Sequence, residues 1–294
     1  MNQKTIYALG FFDGVHLGHQ ALLEQCKRLA QEHGCQSGAV TFSSHPDSLV
    51  LGEAPALLNT SDDRAQLLYS FGLDAVKEIP FDREMMTTHW SVFLDSLLAA
   101  GAAGFVCGED FRFGAGGLGT AKKLAAYCEK KQLPYAIVPE QLMDGERISS
   151  TRIRTLLEQG DIDGVTRLLG HPHVLTGTVQ AGKQLGRTLG FPTANLQFPA
   201  ELAVPRFGVY VCIALVDDQP RLSLCNIGTR PTVDGEGVNA EVHILDYDGD
   251  LYGKELAIGF CAFLRPEKKF DSIEELQAQI AADIAKTRQA VQNS

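Results

Sequence analysis

Two rhythms of apolar and polar positions divide the chain. In the first, short apolar runs alternate with helical periods. Thr5–Leu9, Gly38–Phe42, Leu73–Ile79, Ala103–Cys107 and Pro134–Val138 read as buried strands. Between them Leu22, Cys26, Leu29 and Ala30 share one helical face, and Thr60-Ser61-Asp62-Asp63 offers N-cap side chains before Ala65, Leu67, Leu68 and Phe71. Trp90–Ala100 and Thr120–Lys131 complete the helical set, and two short helices follow within Ser149–Leu169, the second capped by Asp161. Strand–helix alternation at this spacing predicts βαβ units and a parallel, Rossmann-like sheet.

Past His171-Pro172-His173 the rhythm changes. Val174–Val179, Ala194–Phe198, Val209–Val216, Leu222–Ile227, Asn239–Leu245 and Leu256–Phe263 are strand-like runs separated by Gly, Pro and Asp clusters. They predict an antiparallel sheet or barrel. A last amphipathic helix, capped by Asp271 or Ser272, carries Ile273, Leu276, Ile280 and Ile284. The expected domains are therefore 1–170 and 171–294, and 294 residues is a length that suits two.

Composition changes this picture little. With 45% hydrophobic and 21% charged residues the chain is ordinary globular material, which excludes a disordered or fibrous protein. Charge is more informative. Twenty-six basic residues against 36 acidic give −10, a field that disfavours nucleic acid and anionic membrane surfaces as partners. Seven scattered cysteines, an odd number with no Cys-x-x-Cys pair, read as reduced core thiols of a cytoplasmic protein. The longest apolar run, Phe207–Val216, has ten residues, half of the ~20 that a membrane helix needs.

Candidate chemistry sits where the first strand meets the first helix. Gly10-Phe11-Phe12-Asp13-Gly14-Val15-His16-Leu17-Gly18-His19 places two histidines three apart at a helix start, where free N–H groups attract phosphate. His16 and His19 suit donation to phosphoryl oxygens, with Gly14 and Gly18 allowing close backbone approach. Helix capping and packing are the plain alternatives, and zinc would need further ligands. Ile148-Ser149-Ser150-Thr151-Arg152-Ile153-Arg154 opens another helix with hydroxyls and arginines, either an anion cradle or an ordinary cap.

The second half carries a glycine-rich basic stretch, Gly182-Lys183-Gln184-Leu185-Gly186-Arg187, leading into Pro192-Thr193-Ala194-Asn195. It is no Walker A loop. It has the ingredients of a Mg-phosphate site, although glycines between strands are more often plain turns. In Ala240–Asp246, alternation puts Glu241, His243 and Leu245 on one strand face and Val242 and Ile244 on the other.

Together these segments resemble bacterial bifunctional riboflavin kinase/FAD synthetases. Phe12–His19 with Ser149–Arg154 resembles their FMN adenylyltransferase domain, of the nucleotidyltransferase superfamily, and Gly108-Glu109-Asp110-Phe111-Arg112-Phe113-Gly114 resembles a loop of that domain. Pro192–Asn195 with Glu241 and Leu264-Arg265-Pro266-Glu267 resembles riboflavin kinase. The resemblance implies a Rossmann-like domain followed by a six-stranded antiparallel barrel with a terminal helix. It implies ATP-dependent conversion of riboflavin to FMN, then of FMN and ATP to FAD and pyrophosphate, with Mg²⁺. By the same resemblance His16 and His19 act at the α-phosphate. Gly10, Phe11, Gly14, Gly18, Ser150, Thr151 and Arg154, together with Gly182, Lys183, Gly186 and Arg187, hold ATP or its phosphates. Asp110, Phe111 and Arg265 bind flavin, Thr193 and Asn195 hold the metal, and Glu241 is the base. A flavin carrier would need neither metal ligands nor a base. The chain departs from the family pattern at Ser44 and at Thr120, where a threonine can still cap the following helix.

Overall fold

The computed structural model describes residues 4–50, 52, 54–180, 190–232 and 235–292. The chain forms two compact units, Met1–Ser150 and Thr151–Ser294.

The first unit is a five-stranded, wholly parallel sheet of β1 (Thr5–Leu9), β2 (Gln36–Phe42), β3 (Ala75–Ile79), β4 (Ala102–Gly108) and β5 (Tyr135–Val138), in the order β3-β2-β1-β4-β5. Chain order reverses between β1 and β4, so the loop leaving β1 opens at the switch point where such sheets bind ligands. Helices α1 (Leu17–Glu32), α2 (Ser61–Ser70), α3 (Trp90–Ala99) and α4 (Ala121–Lys131) supply the crossovers. One apolar cluster gathers Leu9, Phe93, Leu97, Phe105 and Leu124; another gathers Ile6, Ala8, Leu23, Cys26 and Leu68. On α1 the innermost leucine is Leu23 rather than the expected Leu22, which is only part-buried. Cys26 helps set that rotation, because its thiol donates to the Ile6 carbonyl at 3.2 Å. Thr120 caps α4 by accepting from the Lys123 N–H.

The second unit begins with α5 (Ser150–Gln159, whose first residue belongs to the sheet unit) and α6 (Ile162–Leu169). Asp161 caps α6 by accepting from the Gly164 N–H, and Ile162, Val165, Leu168 and Leu169 are buried. A closed antiparallel barrel follows: β6 (His173–Gln180), β7 (Ala194–Gln197), β8 (Gly208–Val216), β9 (Gln219–Thr232), β10 (Gly235–Ile244) and β11 (Glu255–Arg265), in the order β6-β7-β10-β9-β8-β11. Closure leaves no sheet edge open to a foreign strand. Strands β9 and β10 extend well past Leu222–Ile227 and Asn239–Leu245, because backbone pairing runs on through Gly228↔Asn239 to Thr232↔Gly235. Ladder hydrogen bonds hold these turn-type residues extended where side-chain preference does not. Helix α7 (Ile273–Gln292) closes the unit, with the Ser272 hydroxyl accepting from the Glu275 N–H and Ile284 packing beside Val209, Leu224 and Leu245.

Candidate functional site

The first site is built on the β1–α1 loop. Phe12 has a φ of 60° and Val15 one of 40°. Side chains beyond glycine seldom adopt this region, at a cost on the order of 1–3 kcal/mol each, and such strain gathers at functional loops. Gly14, at φ 78°, is the one residue of the turn suited to it. Burial secures the loop: Phe12 and Val15 are fully inside, the Asp13 carboxylate accepts from the Leu58 N–H at 2.7 Å, and the Ser150 hydroxyl donates to the Asp13 carbonyl at 2.9 Å.

His16 is the N-cap of α1, its Nδ1 accepting from the His19 N–H at 3.2 Å. An Nδ1 that accepts carries no proton, so the neutral ring holds its hydrogen on Nε2. A Cβ on residue 18 would lie 3.0 Å from the His16 ring, so Gly18 makes room for this cap. The His19 ring stacks on that of His16 with centroids 3.7 Å apart and planes 12° from parallel. Burial first, then the neighbouring His16 and the Arg147 cation, holds His19 well below the usual imidazole pKa. Its buried Nδ1 has no hydrogen-bond partner. Two neutral imidazoles thus stand at a helix N-terminus, one with its tautomer fixed by the fold.

Around them the expected residues are placed unevenly. Phe11 lies beneath the buried Arg64 guanidinium at 4.4 Å, with its carbonyl accepting from Thr41, while Gly10 donates to Val40 at 3.2 Å. Asp110 pairs with Arg147, which also reaches Glu140 at 3.0 Å, and the Phe111 ring stacks on Phe113. Thr151 and Arg154 continue α5 in the second unit. Gly182, Lys183, Gly186 and Arg187 lie outside the described residues.

The second site is written in the register of the barrel. Asn195 pairs with Glu241, Glu241 with Asn226, Asn226 with Val209, and Val209 with Arg265. One ladder row therefore carries the expected metal ligand, the expected base and the expected flavin residue across five strands. At about 4.8 Å per strand, Glu241 and Arg265 stand roughly 14 Å apart along the backbone row. Asn239 forks between its neighbours, its amide donating to Asn195 Oδ1 at 3.3 Å and Glu241 Oε1 at 3.4 Å.

Cavities open on both faces of β10. The face with Glu241 and His243 lines one of about 330 Å³, completed by Asn226, Arg265, Phe270 and Ile280 among others. The face with Val242 and Ile244 lines one of about 230 Å³ with Asn195, Tyr247, Asp248 and Asp250. Thr193 borders both. Arg265 is fixed by Asp283, which it meets through Nε and Nη2 at 2.8 Å, while Gln279 holds the other carboxylate oxygen.

Comparison with known proteins decides the family. A family model described as FAD synthetase matches residues 1–152, and one described as riboflavin kinase matches 169–291. The chain is 36% identical to a bifunctional riboflavin kinase/FMN adenylyltransferase of Listeria monocytogenes, over 97% of this chain and 92% of that one. It is 37% identical to the protein of that name from Pseudomonas fluorescens, over 98% and 93%. The chain belongs to the bifunctional riboflavin kinase/FMN adenylyltransferases. A solved chain named as a macrolide-efflux protein of Streptococcus pneumoniae is similar throughout, with a TM-score of 0.88 and 30% identity over 98% of this chain and 95% of that one.

For a riboflavin kinase/FMN adenylyltransferase, the sequence left several residues of the two sites unseen. Asn239 and Asp283 carry no motif; they come into view only when the strands are paired and α7 is docked. Arg147 sits two residues before the Ser149-Ser150-Thr151 segment, and only its salt bridges reveal it. Among the described residues, no helix is long and apolar enough to cross a membrane, and no group of three or more His, Cys, Asp or Glu is arranged to hold a metal.

Proposed function

We propose that this chain makes FAD in two steps, phosphorylating riboflavin within residues 171–294 and adenylylating the resulting FMN within residues 1–170. The ladder row from Asn195 through Glu241 to Arg265 carries the reading. Its order, Asn195 then Glu241 then Arg265, suits a metal ligand, a base and a flavin contact for ATP, the ribityl hydroxyl and the isoalloxazine ring, and its span suits riboflavin.

In the kinase step, Glu241 accepts the proton of the ribityl 5′-hydroxyl as that oxygen attacks the γ-phosphate. Asn239 holds Glu241 toward Asn195. The flavin ring lies toward Arg265 and Phe270, and ATP takes the opposite face of β10. Thr193 and Asn195 fit Mg²⁺, being a hydroxyl residue that borders both cavities and an amide residue that lines the smaller one; the bound ion would supply phosphate charge neutralisation.

In the adenylyl step the FMN phosphate is already an anion, so no base is needed. His16 donates from Nε2 and His19 from its neutral ring to the α-phosphate as charge develops. Gly10, Phe11, Gly14 and Gly18 shape the loop; Ser150, Thr151 and Arg154 hold the departing pyrophosphate; Asp110 and Phe111 border the flavin. Gly182, Lys183, Gly186 and Arg187, outside the described residues, bind the ATP phosphates in the kinase half. Riboflavin, FMN and ATP are the partners, and the cytoplasm is the compartment.

The test is direct. Purified protein with riboflavin and Mg-ATP should yield FMN and then FAD on chromatographic separation, and chelating Mg²⁺ should stop both. Full turnover in excess chelator would sink the metal assignment, and the absence of any flavin phosphate would sink the whole reading.

A further inference from the structure

The flavin cavity of the barrel holds a second carboxylate that the proposed chemistry does not use. Glu267 reaches into it from the segment joining β11 to α7, and its Oε1 accepts from the Asn226 amide at 3.2 Å. Asn226 is the ladder partner of Glu241, so Glu267 is anchored one strand spacing, about 5 Å, from the base. Its place is built rather than incidental. A Cβ on residue 228 would overlap Glu267 Oε1, and position 228 is glycine.

The cations lining the same cavity are engaged elsewhere. Arg265 spends Nε and Nη2 on the buried Asp283, and Lys268 Nζ binds Glu275 at 2.8 Å. Among the described residues, Glu241 and Glu267 are left as the two carboxylates of the cavity without a cationic partner. Riboflavin is uncharged, whereas FMN brings a phosphate of nearly two negative charges to the end of the chain that lies beside Glu241.

We propose that Glu267 is a specificity-determining residue that sorts substrate from product by charge, admitting the neutral alcohol and expelling its phosphate ester. This rests on the reading of the cavity as the riboflavin site. Glu241 alone would repel the phosphate, but it must take the proton from the hydroxyl during transfer. Glu267 takes no part in that transfer, so its charge persists when the product forms. Release of FMN then frees it for the other half of the chain.

The kinase step releases ADP and the adenylyl step pyrophosphate, so ADP formation by the full-length protein reports the kinase alone. The measured quantity is the ratio of the FMN inhibition constant to the riboflavin KM, with FMN competing against riboflavin. Glu267→Gln keeps the acceptor for Asn226 and removes the charge; the ratio should fall about tenfold, whatever happens to kcat. Glu267→Asp keeps the charge and should hold the ratio within about twofold of the unaltered protein. Raising salt should lower the ratio in the unaltered protein and leave the Gln variant nearly flat, because the repulsion is screened. A ratio that stays constant or rises in the Gln variant, with competition intact, would overturn the role of Glu267. If FMN does not compete with riboflavin, or if Glu241→Gln makes ADP at the normal rate, the riboflavin site itself is misplaced and the proposal falls with it.

Discussion

In the proposed reactions the two halves of this chain handle the same nucleotide with different side chains, and the difference lies in the nucleophile. On this reading the barrel aligns a carboxylate with a strand register, because a hydroxyl must lose its proton before it can attack. The sheet domain offers two stacked imidazoles at a helix N-terminus, and the proposed adenylyl step needs no base there, because a phosphate ester arrives already ionised. Basicity is needed in one half, and donation to developing charge in the other. The surroundings agree with this division. Burial keeps His19 neutral, with an N–H to give and no charge to hold an anion in the ground state. Glu241 is solvent-exposed along a polar row, where a proton taken up can leave again.

Exchanging the charge at Glu241 is the severest test of this contrast. Glu241→Gln should lower riboflavin phosphorylation roughly 10²- to 10⁴-fold, read as ADP release, while FAD formation from supplied FMN stays near normal. Loss of both activities in a folded protein would erase the distinction. His19→Ala is the reciprocal experiment. FAD formation should drop by ~10²-fold in kcat with riboflavin phosphorylation intact, and equal loss in both would show His19 to be structural.

A third experiment compares buried histidines. His173, at the start of β6, stacks on Phe260 and titrates at about 4, chiefly through burial and then through the neighbouring His171. Its folded pKa lies below the unfolded one. The barrel is therefore unaffected above about pH 6.5 and loses stability as pH falls from there toward 4, since the unfolded chain gains a proton that the folded one refuses. Between pH 7 and pH 5 this should amount to about 2 kcal/mol of unfolding free energy, and His173→Phe should flatten the slope. An unchanged slope would assign the acid sensitivity elsewhere. The smallest effect separates the two duties of His16. His16→Asn retains a cap and His16→Ala does not, so their stabilities should differ by ~1 kcal/mol while both lose adenylyl transfer to a similar degree. If the asparagine variant remains active, the Nε2 hydrogen of His16 is not used.

Much of this was legible before any coordinates. The β1 strand could be read because Thr5–Leu9 is apolar on both faces, as a central parallel strand must be. The caps Thr60, Thr120 and Asp161 were visible because capping is a local hydrogen bond. Register is another matter. Nothing local in Asn226 or Asn239 says that they will stand beside Glu241, since a one-residue slip would leave their sequence neighbourhoods unchanged. Nothing in the sequence shows that a side chain at position 18 would crowd the His16 ring, a contact that only the structure reveals. The long β9–β10 hairpin exceeds the strands that side-chain pattern predicts, because Gly and Pro are poor strand formers on their own.

The two faces of β10 have a consequence for how the barrel can vary. Odd-numbered Glu241 and His243 look into one cavity, and even-numbered Val242 and Ile244 into the other. Inserting or deleting one residue upstream in this strand would exchange the faces, turning the Glu241 carboxylate toward the cavity of Val242 and Ile244 and an aliphatic side chain toward the one that Glu241 now lines. Replacements along β10 are graded in their harm, whereas a change of length is not. A library of single-codon deletions across 238–240, upstream of Glu241, should thus be uniformly dead for FMN formation, even where substitutions at the same codons survive, and parity of position becomes as inheritable a trait as residue identity.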